Sequence, residues 1–273
     1  MAGPGGNAEI ERLLKSVASA SQSLLMLDYD GTLAPFRTQR DRAFPYPGVG
    51  PLLQEIVRDR RTRLVIISGR DVTETISLLG IEPCPEVWGL HGLQRRRVGG
   101  AVVTARLEER MLDALSDAER WLGYQRLQHV GEFKTGSIAV HWRGLSDWGA
   151  EELRGRVLSG WRPIAEGTGL ELLEFDGGVE IRVAQMDKGG VVRVLLAEMD
   201  PDTPAIYLGD DNTDERAFRA IRGRGLGVLV RTRWRPTLAQ AWLKPPDELL
   251  AFLRKWLQAC RRDESGRAAA AVK

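Results

Sequence analysis

Three short stretches of the chain are apolar without a break: Leu24-Leu25-Met26-Leu27, Leu64-Val65-Ile66-Ile67 and Ala205-Ile206-Tyr207-Leu208. Runs this short, bounded by small and polar residues, predict strands covered on both faces, as in a parallel sheet. Around them apolar residues return at helical spacing. Ile10, Leu13, Leu14 and Val17 share one face of a helix from Asn7, a suitable N-cap, to about Ala20. Further helices are expected over 48–60, 71–79, 191–199 and 214–221, with short strands at 87–88 and 227–230 and a loop over 37–47. Two more helices are expected to close the chain. Strands alternating with helices predict βαβ units.

The texture changes between 96 and 184. A hairpin-like stretch starts at Arg95, and a charged amphipathic helix covers 106–122. Two period-2 runs, 130–134 and 137–143, are joined through Thr135-Gly136. A helix from Asp147 to about Gly160 precedes a second hairpin, 170–175 and 179–183, with Asp176-Gly177-Gly178 as its turn. Alternation of this kind marks a sheet with one covered face. The expected organisation is therefore a discontinuous α/β core (1–95 and 185–273) interrupted by an α+β domain (96–184).

The chain has 273 residues, 43% hydrophobic and 28% charged, with a formal net charge of +2. Such a chain holds one large domain or two modest ones and has no need of disorder. The balance of charge gives no reason to expect nucleic acid or an anionic membrane as partner. Two cysteines, Cys84 and Cys260, in unrelated contexts make a disulfide framework or a zinc site improbable and fit a reducing compartment. No apolar run is long enough to cross a bilayer, and Met1–Gly6 lacks the make-up of a signal peptide, so a cytoplasmic protein is expected. Met1–Gly6 and the alanine-rich stretch from Arg261 to Lys273 read as loose tails. Only six of the 39 basic residues are lysines, which singles out Lys188 at the start of a helix.

Each of the three apolar strands ends in chemistry. Asp28 and Asp30 follow the first, Ser68-Gly69-Arg70 the second, and Asp210, Asp211 and Asp214 the third. In a parallel sheet these ends lie on one edge, where ligands bind. Clustered carboxylates without His or Cys suit a hard cation, Mg²⁺ above all. A lysine and a serine hydroxyl suit the oxygens of a phosphate. One aspartate can act as nucleophile and a second, two residues on, as general acid and base, which is phosphoryl transfer to water. The plain alternative for Asp28-Tyr29-Asp30-Gly31 is an Asx-turn closing a strand.

Asp28-Tyr29-Asp30-Gly31-Thr32, Ser68, Lys188 and Gly209-Asp210-Asp211-Asn212-Thr213-Asp214, in that order, resemble the four motifs of haloacid-dehalogenase-superfamily phosphatases. The resemblance implies a Rossmann-like parallel-sheet core of that type with an inserted α+β cap. It implies Asp28 as nucleophile and Asp30 as general acid/base. Ser68, Gly69 and Lys188 would bind phosphate, and Asp28, Asp30 (through its carbonyl), Asp210, Asp211 and Asp214 would hold or support Mg²⁺.

Further strings narrow it: Ile67-Ser68-Gly69-Arg70, Gly89-Leu90-His91-Gly92, Val140-His141-Trp142-Arg143 and Glu180-Ile181-Arg182 look like the trehalose-6-phosphate phosphatase family. Val183, where that family usually has Pro, and Gly190 depart from its pattern. The same resemblance points to Glu132, Lys134, Arg143 and Glu180 as sugar contacts. Alternation puts the first two on one face of their strand, and an ordinary solvated sheet face is the competing explanation. His91 and His141 read as packed and hydrogen-bonded, Arg70 as a phosphate ligand or a surface pair, and Arg95–Arg97 and Arg231–Arg235 as solvated. The expected activity is Mg²⁺-dependent hydrolysis of trehalose 6-phosphate by a monomer, with a trehalose-6-phosphate synthase as pathway partner. A phosphatase for another sugar phosphate (glycosyl-phosphoglycerate or sucrose 6-phosphate), a phospho-aspartate switch, and a catalytically quiet synthase subunit are the alternatives.

Overall fold

The computed structural model describes residues 7–37, 39–175, 177–184 and 186–270. Two compact units divide the chain: one runs up to Thr104 and resumes at Asp187, and Ala105–Met186 forms the other. The first begins with helix α1 (Asn7–Ser19), strand β1 (Ser23–Asp28), α2 (Val49–Asp59), β2 (Thr62–Ile67), α3 (Val72–Leu79), β3 (Glu86–Gly89), β4 (Gln94–Arg96) and β5 (Val102–Thr104). The second unit holds α4 (Glu109–Tyr124), β6 (Gly131–Lys134), β7 (Ser137–His141), α5 (Asp147–Ala165), β8 (Leu170–Phe175) and β9 (Gly178–Val183). The first unit then resumes with α6 (Lys188–Ala197), β10 (Ala205–Gly209), α7 (Glu215–Ile221), β11 (Leu226–Val230), β12 (Ala241–Leu243) and α8 (Asp247–Ala270).

The main sheet has the order β12-β11-β10-β1-β2-β3-β4-β5. From β12 to β3 all neighbours are parallel, and β4 and β5 add an antiparallel hairpin. Successive side chains of β1 point to opposite faces, as the pleat requires. Leu25 and Leu27 pack with Leu14, Leu53 and Trp256, whereas Leu24 and Met26 pack with Val192 and Phe218. All four β1 residues are fully buried, each stabilising the fold by about 1.5–3 kcal/mol relative to exposure. That two-sided burial is why the run lacks polar alternation.

The second unit has its own four-stranded antiparallel sheet, β6-β7-β9-β8. Its inner face, with Ile138, Val140, Val179, Ile181 and Val183, packs on Val157 and Trp161 of α5 and Ala118 and Leu122 of α4.

Four expectations change. The hairpin from Arg95 to Thr104 belongs to the main sheet, so the boundaries fall at 104/105 and 186/187, not 95/96 and 184/185. Arg95 is no solvated residue: it pairs with Glu86 and Glu198 and lies over the Trp88 ring at 4.6 Å. The chain closes with β12 and a single helix in place of two helices, because Pro236, Pro245 and Pro246 interrupt any helix before Asp247. Finally, α8 continues to Ala270 through residues read as a tail, where Ala and Arg are strong helix formers. The N-terminal tail, Met1–Gly6, and Asp176 of the hairpin turn lie outside the described residues. Among the described residues, no helix is long and apolar enough to cross a membrane.

Candidate active site

The site assembles at the carboxyl ends of the three central parallel strands. Asp28 is the last residue of β1, Ser68 follows β2 and Asp210 follows β10. Register keeps these ends level: Asp28 is paired with Ile67, and Leu27 with Leu208. Beyond β1 the chain turns sharply, with Gly31 at φ +84° and its N–H donating to the Ala34 carbonyl at 2.7 Å. Only glycine serves here, since a Cβ would also collide with the Asp210 carboxylate.

Lys188 opens α6 and reaches across this edge. Its Nζ donates to Asp28 Oδ1 at 2.6 Å and to Asp214 Oδ1 at 2.8 Å. The helix start that aims it is capped by Asp187, whose side chain accepts from the Gly190 N–H at 2.7 Å. Burial pulls the ammonium toward neutrality, but Asp214 and Asp28 together outweigh it and hold the Lys188 pKa above the ordinary lysine value.

Asp214 is wholly buried and takes four donors. Lys188 and the Tyr207 hydroxyl (2.5 Å) bond Oδ1, and the N–H groups of Asp210 (3.0 Å) and Asp211 (2.9 Å) bond Oδ2. A carboxylate has about four lone-pair sites, so Asp214 is saturated and acts as the organiser of the loop. Asp28 and Asp210 are different. Thr32 Oγ1 donates to Asp28 Oδ2 at 3.2 Å, while Asp210 Oδ1 is buried with no hydrogen-bond partner among the described residues. Burial, reinforced by Asp214 and opposed by Lys188, pushes the Asp28 carboxyl up to about 7. Burial and the charges of Asp28 and Asp214 push Asp210 up to about 10.

Carboxylate oxygens of Asp28, Asp210 and Asp214 lie within 4.8 Å of one another. An orphaned buried oxygen, a mutually repelling pair and an all-oxygen donor set fit a hard divalent cation. Within the group, Asp28 and Asp210 retain the capacity to ligate one. The carboxylates of Asp30 and Asp211 are not in this group.

Asp30, two residues beyond Asp28, is instead held by Arg70. The guanidinium donates to Asp30 Oδ2 through Nε (2.6 Å) and to Oδ1 through Nη2 (2.7 Å), and Nη1 bonds the Arg40 carbonyl at 2.7 Å and Glu74. Arg70 is only 4% exposed, so it is a buried fork, not a surface pair. Its backbone N–H donates to Ser68 Oγ at 3.1 Å, which ties the second strand end to the first. Gly69 lies under the His91 imidazole, leaving no room for a Cβ.

In the second unit, cross-strand register lines up Glu132, Ala139 and Glu180 on the outer face of the sheet. Lys134 is on that face and pairs with Glu132 at 3.1 Å, and His141 Nε2 is 3.0 Å from the same carboxylate. Arg143 lies past the end of β7, packed over Gly177. Arg182 is buried and bonds Glu171 through Nε (2.9 Å) and Nη2 (2.8 Å).

Three functional partners escaped the sequence. Tyr207 read only as an apolar strand residue. Arg231 and Arg235, expected in solvent, bond backbone carbonyls of the acidic loop. The clue to the arginines was their place just after a strand of the same edge.

Known proteins place this geometry. The model of the trehalose-phosphatase family matches residues 26–241. A probable trehalose-phosphate phosphatase of rice (Oryza sativa) is 28% identical over 88% of this chain and 72% of its own length. The trehalose 6-phosphate phosphatase RA3 of maize (Zea mays) is also 28% identical, over 92% of this chain and 74% of its own. The solved trehalose-6-phosphate phosphatase of Aspergillus fumigatus superposes with a TM-score of 0.72 at 25% identity, covering 94% of this chain and all of that one. With a family match that takes in all four motifs and the whole inserted unit, the chain belongs to the trehalose-phosphatase family, phosphoric monoester hydrolases on a haloacid-dehalogenase-type fold.

Proposed function

We propose that the protein hydrolyses trehalose 6-phosphate to trehalose and phosphate through an aspartyl-phosphate on Asp28. The observation that carries this is the buried Asp28, bonded to Lys188 and close to Asp210, with a second acid two residues on. An Asp28 oxygen attacks phosphorus as the phosphorus–sugar oxygen bond breaks. Asp30 gives its proton to the departing alkoxide, then takes a proton from the water that attacks phosphorus and releases Asp28. Lys188, Ser68 and the backbone at Gly69 bind the phosphoryl oxygens. Asp28 and Asp210, with the carbonyl of Asp30, would hold Mg²⁺, whose charge supplies neutralisation of the phosphoryl group when bound. Asp214 and Asp211 support that set.

Glu132, Lys134, Arg143 and Glu180 select the sugar, offering carboxylates and cations to several hydroxyls. A trehalose-6-phosphate synthase would supply the substrate, and the protein acts as a cytoplasmic monomer. A panel of sugar phosphates assayed with and without Mg²⁺ tests the proposal. Phosphate should be released from trehalose 6-phosphate far faster than from sucrose 6-phosphate or a glycosyl-phosphoglycerate. Background rates on trehalose 6-phosphate beside strong turnover of another ester would overturn the substrate, and turnover indifferent to chelators would overturn the metal.

A further inference from the structure

The acidic loop after β10 is held from two sides. On the inside, the N–H groups of Asp210 and Asp211 both point at Asp214 Oδ2. On the outside, the carbonyls of the same two residues point at arginines from the segment after β11. Arg235 Nη2 donates to the Asp211 carbonyl at 2.7 Å, and Arg235 Nε to the Asp210 carbonyl at 3.4 Å. Arg231 Nη1 adds a bond to the Asp210 carbonyl at 3.2 Å.

Arg235 is itself fixed. Its Nη1 donates to Glu215 Oε1 at 2.6 Å, an oxygen that also accepts from Thr237 Oγ1 at 2.8 Å, while Glu215 Oε2 accepts from the Leu238 N–H at 2.7 Å. With the N–H and the carbonyl of both Asp210 and Asp211 pinned, the backbone of Asp210 has little freedom left. Its carboxylate, with Oδ1 unpartnered among the described residues, is then held close to Asp28 by its backbone. The two guanidinium charges also lie behind a loop that carries three acids, where they offset repulsion without occupying a carboxylate oxygen.

We infer that Arg235, backed by Glu215 and Arg231, is a positioning residue that sets the affinity of the Asp28–Asp210 site for its divalent cation. It touches neither substrate nor the reacting atoms. Its planar fork holds two carbonyls and the Glu215 carboxylate in one fixed geometry, which the flexible point charge of a lysine ammonium does not reproduce. Groups that orient ligands from outside are worth about 10–100-fold in metal affinity.

This inference rests on reading those acids as a cation site. Mn²⁺ binding to the full chain without substrate, followed by electron paramagnetic resonance, tests both. Wild type should bind Mn²⁺, Arg235→Ala should weaken its Kd by at least about tenfold, and Arg235→Lys should fall between them. Guanidinium chloride at low millimolar concentration should restore affinity to Arg235→Ala but not to Asp210→Asn. Wild-type affinity in either arginine variant overturns the inference and leaves the cation site standing. Should the alanine variant fail to fold, Arg235→Lys decides alone. A wild-type protein that binds no Mn²⁺ overturns both.

Discussion

At the level of single residues, Asp28 and Asp210 dominate the electrostatics of the site. Both are buried carboxyls whose pKa values are raised by burial and then by neighbouring carboxylates, Asp214 for Asp28, and Asp28 and Asp214 for Asp210. Asp28→Asn keeps the shape of the residue proposed as nucleophile, and should lower phosphate release by roughly 10⁴-fold or more, read from initial rates. Asp210→Asn makes a different point. Without metal, an acid whose folded pKa is raised holds its proton longer in the native state than in the unfolded chain. Stability is then lost as pH rises from the unfolded value near 3.8 through the raised folded values, about 7 and about 10. In chelator, Asp210→Asn should therefore unfold at a higher temperature than wild type, with the gap widening from pH 4 to neutrality. A gap that is constant with pH, or reversed, would show that the pair carries no such conflict. Added Mg²⁺ should reverse the order by stabilising wild type alone.

At the scale of elements, α6 shows how a buried ammonium, that of Lys188, is aimed by ordinary helix chemistry. Asp187 caps the helix, accepts from Gly190 and also pairs with Arg216 of α7 at 2.7 Å, so the first residue, Lys188, emerges at a fixed angle. Asp187→Ala should cost about 1 kcal/mol of stability, a fall of about 2–4 °C in Tm. It should also reduce kcat by more than that loss of folded protein explains. Normal kcat at reduced Tm would make the cap merely structural.

Elements of this kind were legible beforehand because each left a local mark. The apolar strands, the glycine turn and the lone lysine all spoke for themselves. What was not legible depended on partners far away in the chain. Arg95 and Arg235 are each just another arginine until strands β3 and β10 supply what they bond, and β12 is too short to show any period. Arg70 likewise read as ambiguous, because its burial is conferred by Asp30 forty positions earlier.

For the whole molecule, the proposed function assigns bond making and breaking to the core and sugar recognition to the inserted unit. The inserted sheet presents the row of Glu132, Ala139 and Glu180 with Lys134 beside it. Glu180→Ala should lower kcat/KM for trehalose 6-phosphate by about tenfold or more while leaving a small aryl phosphate nearly unchanged. Equal losses on the two substrates would place Glu180 outside sugar recognition.

The strand order of the main sheet has a consequence for synthesis on the ribosome. β1 lies between β2, which follows within forty residues, and β10, which begins at Ala205. At about 5–20 residues per second, one edge of β1 waits roughly ten seconds or more for its second partner. The whole inserted unit emerges during that wait, and its four strands pair only among themselves. It can fold while the core is still incomplete. Asp28 thus leaves the ribosome well before Lys188, Asp210 and Asp214, the groups that come to surround it.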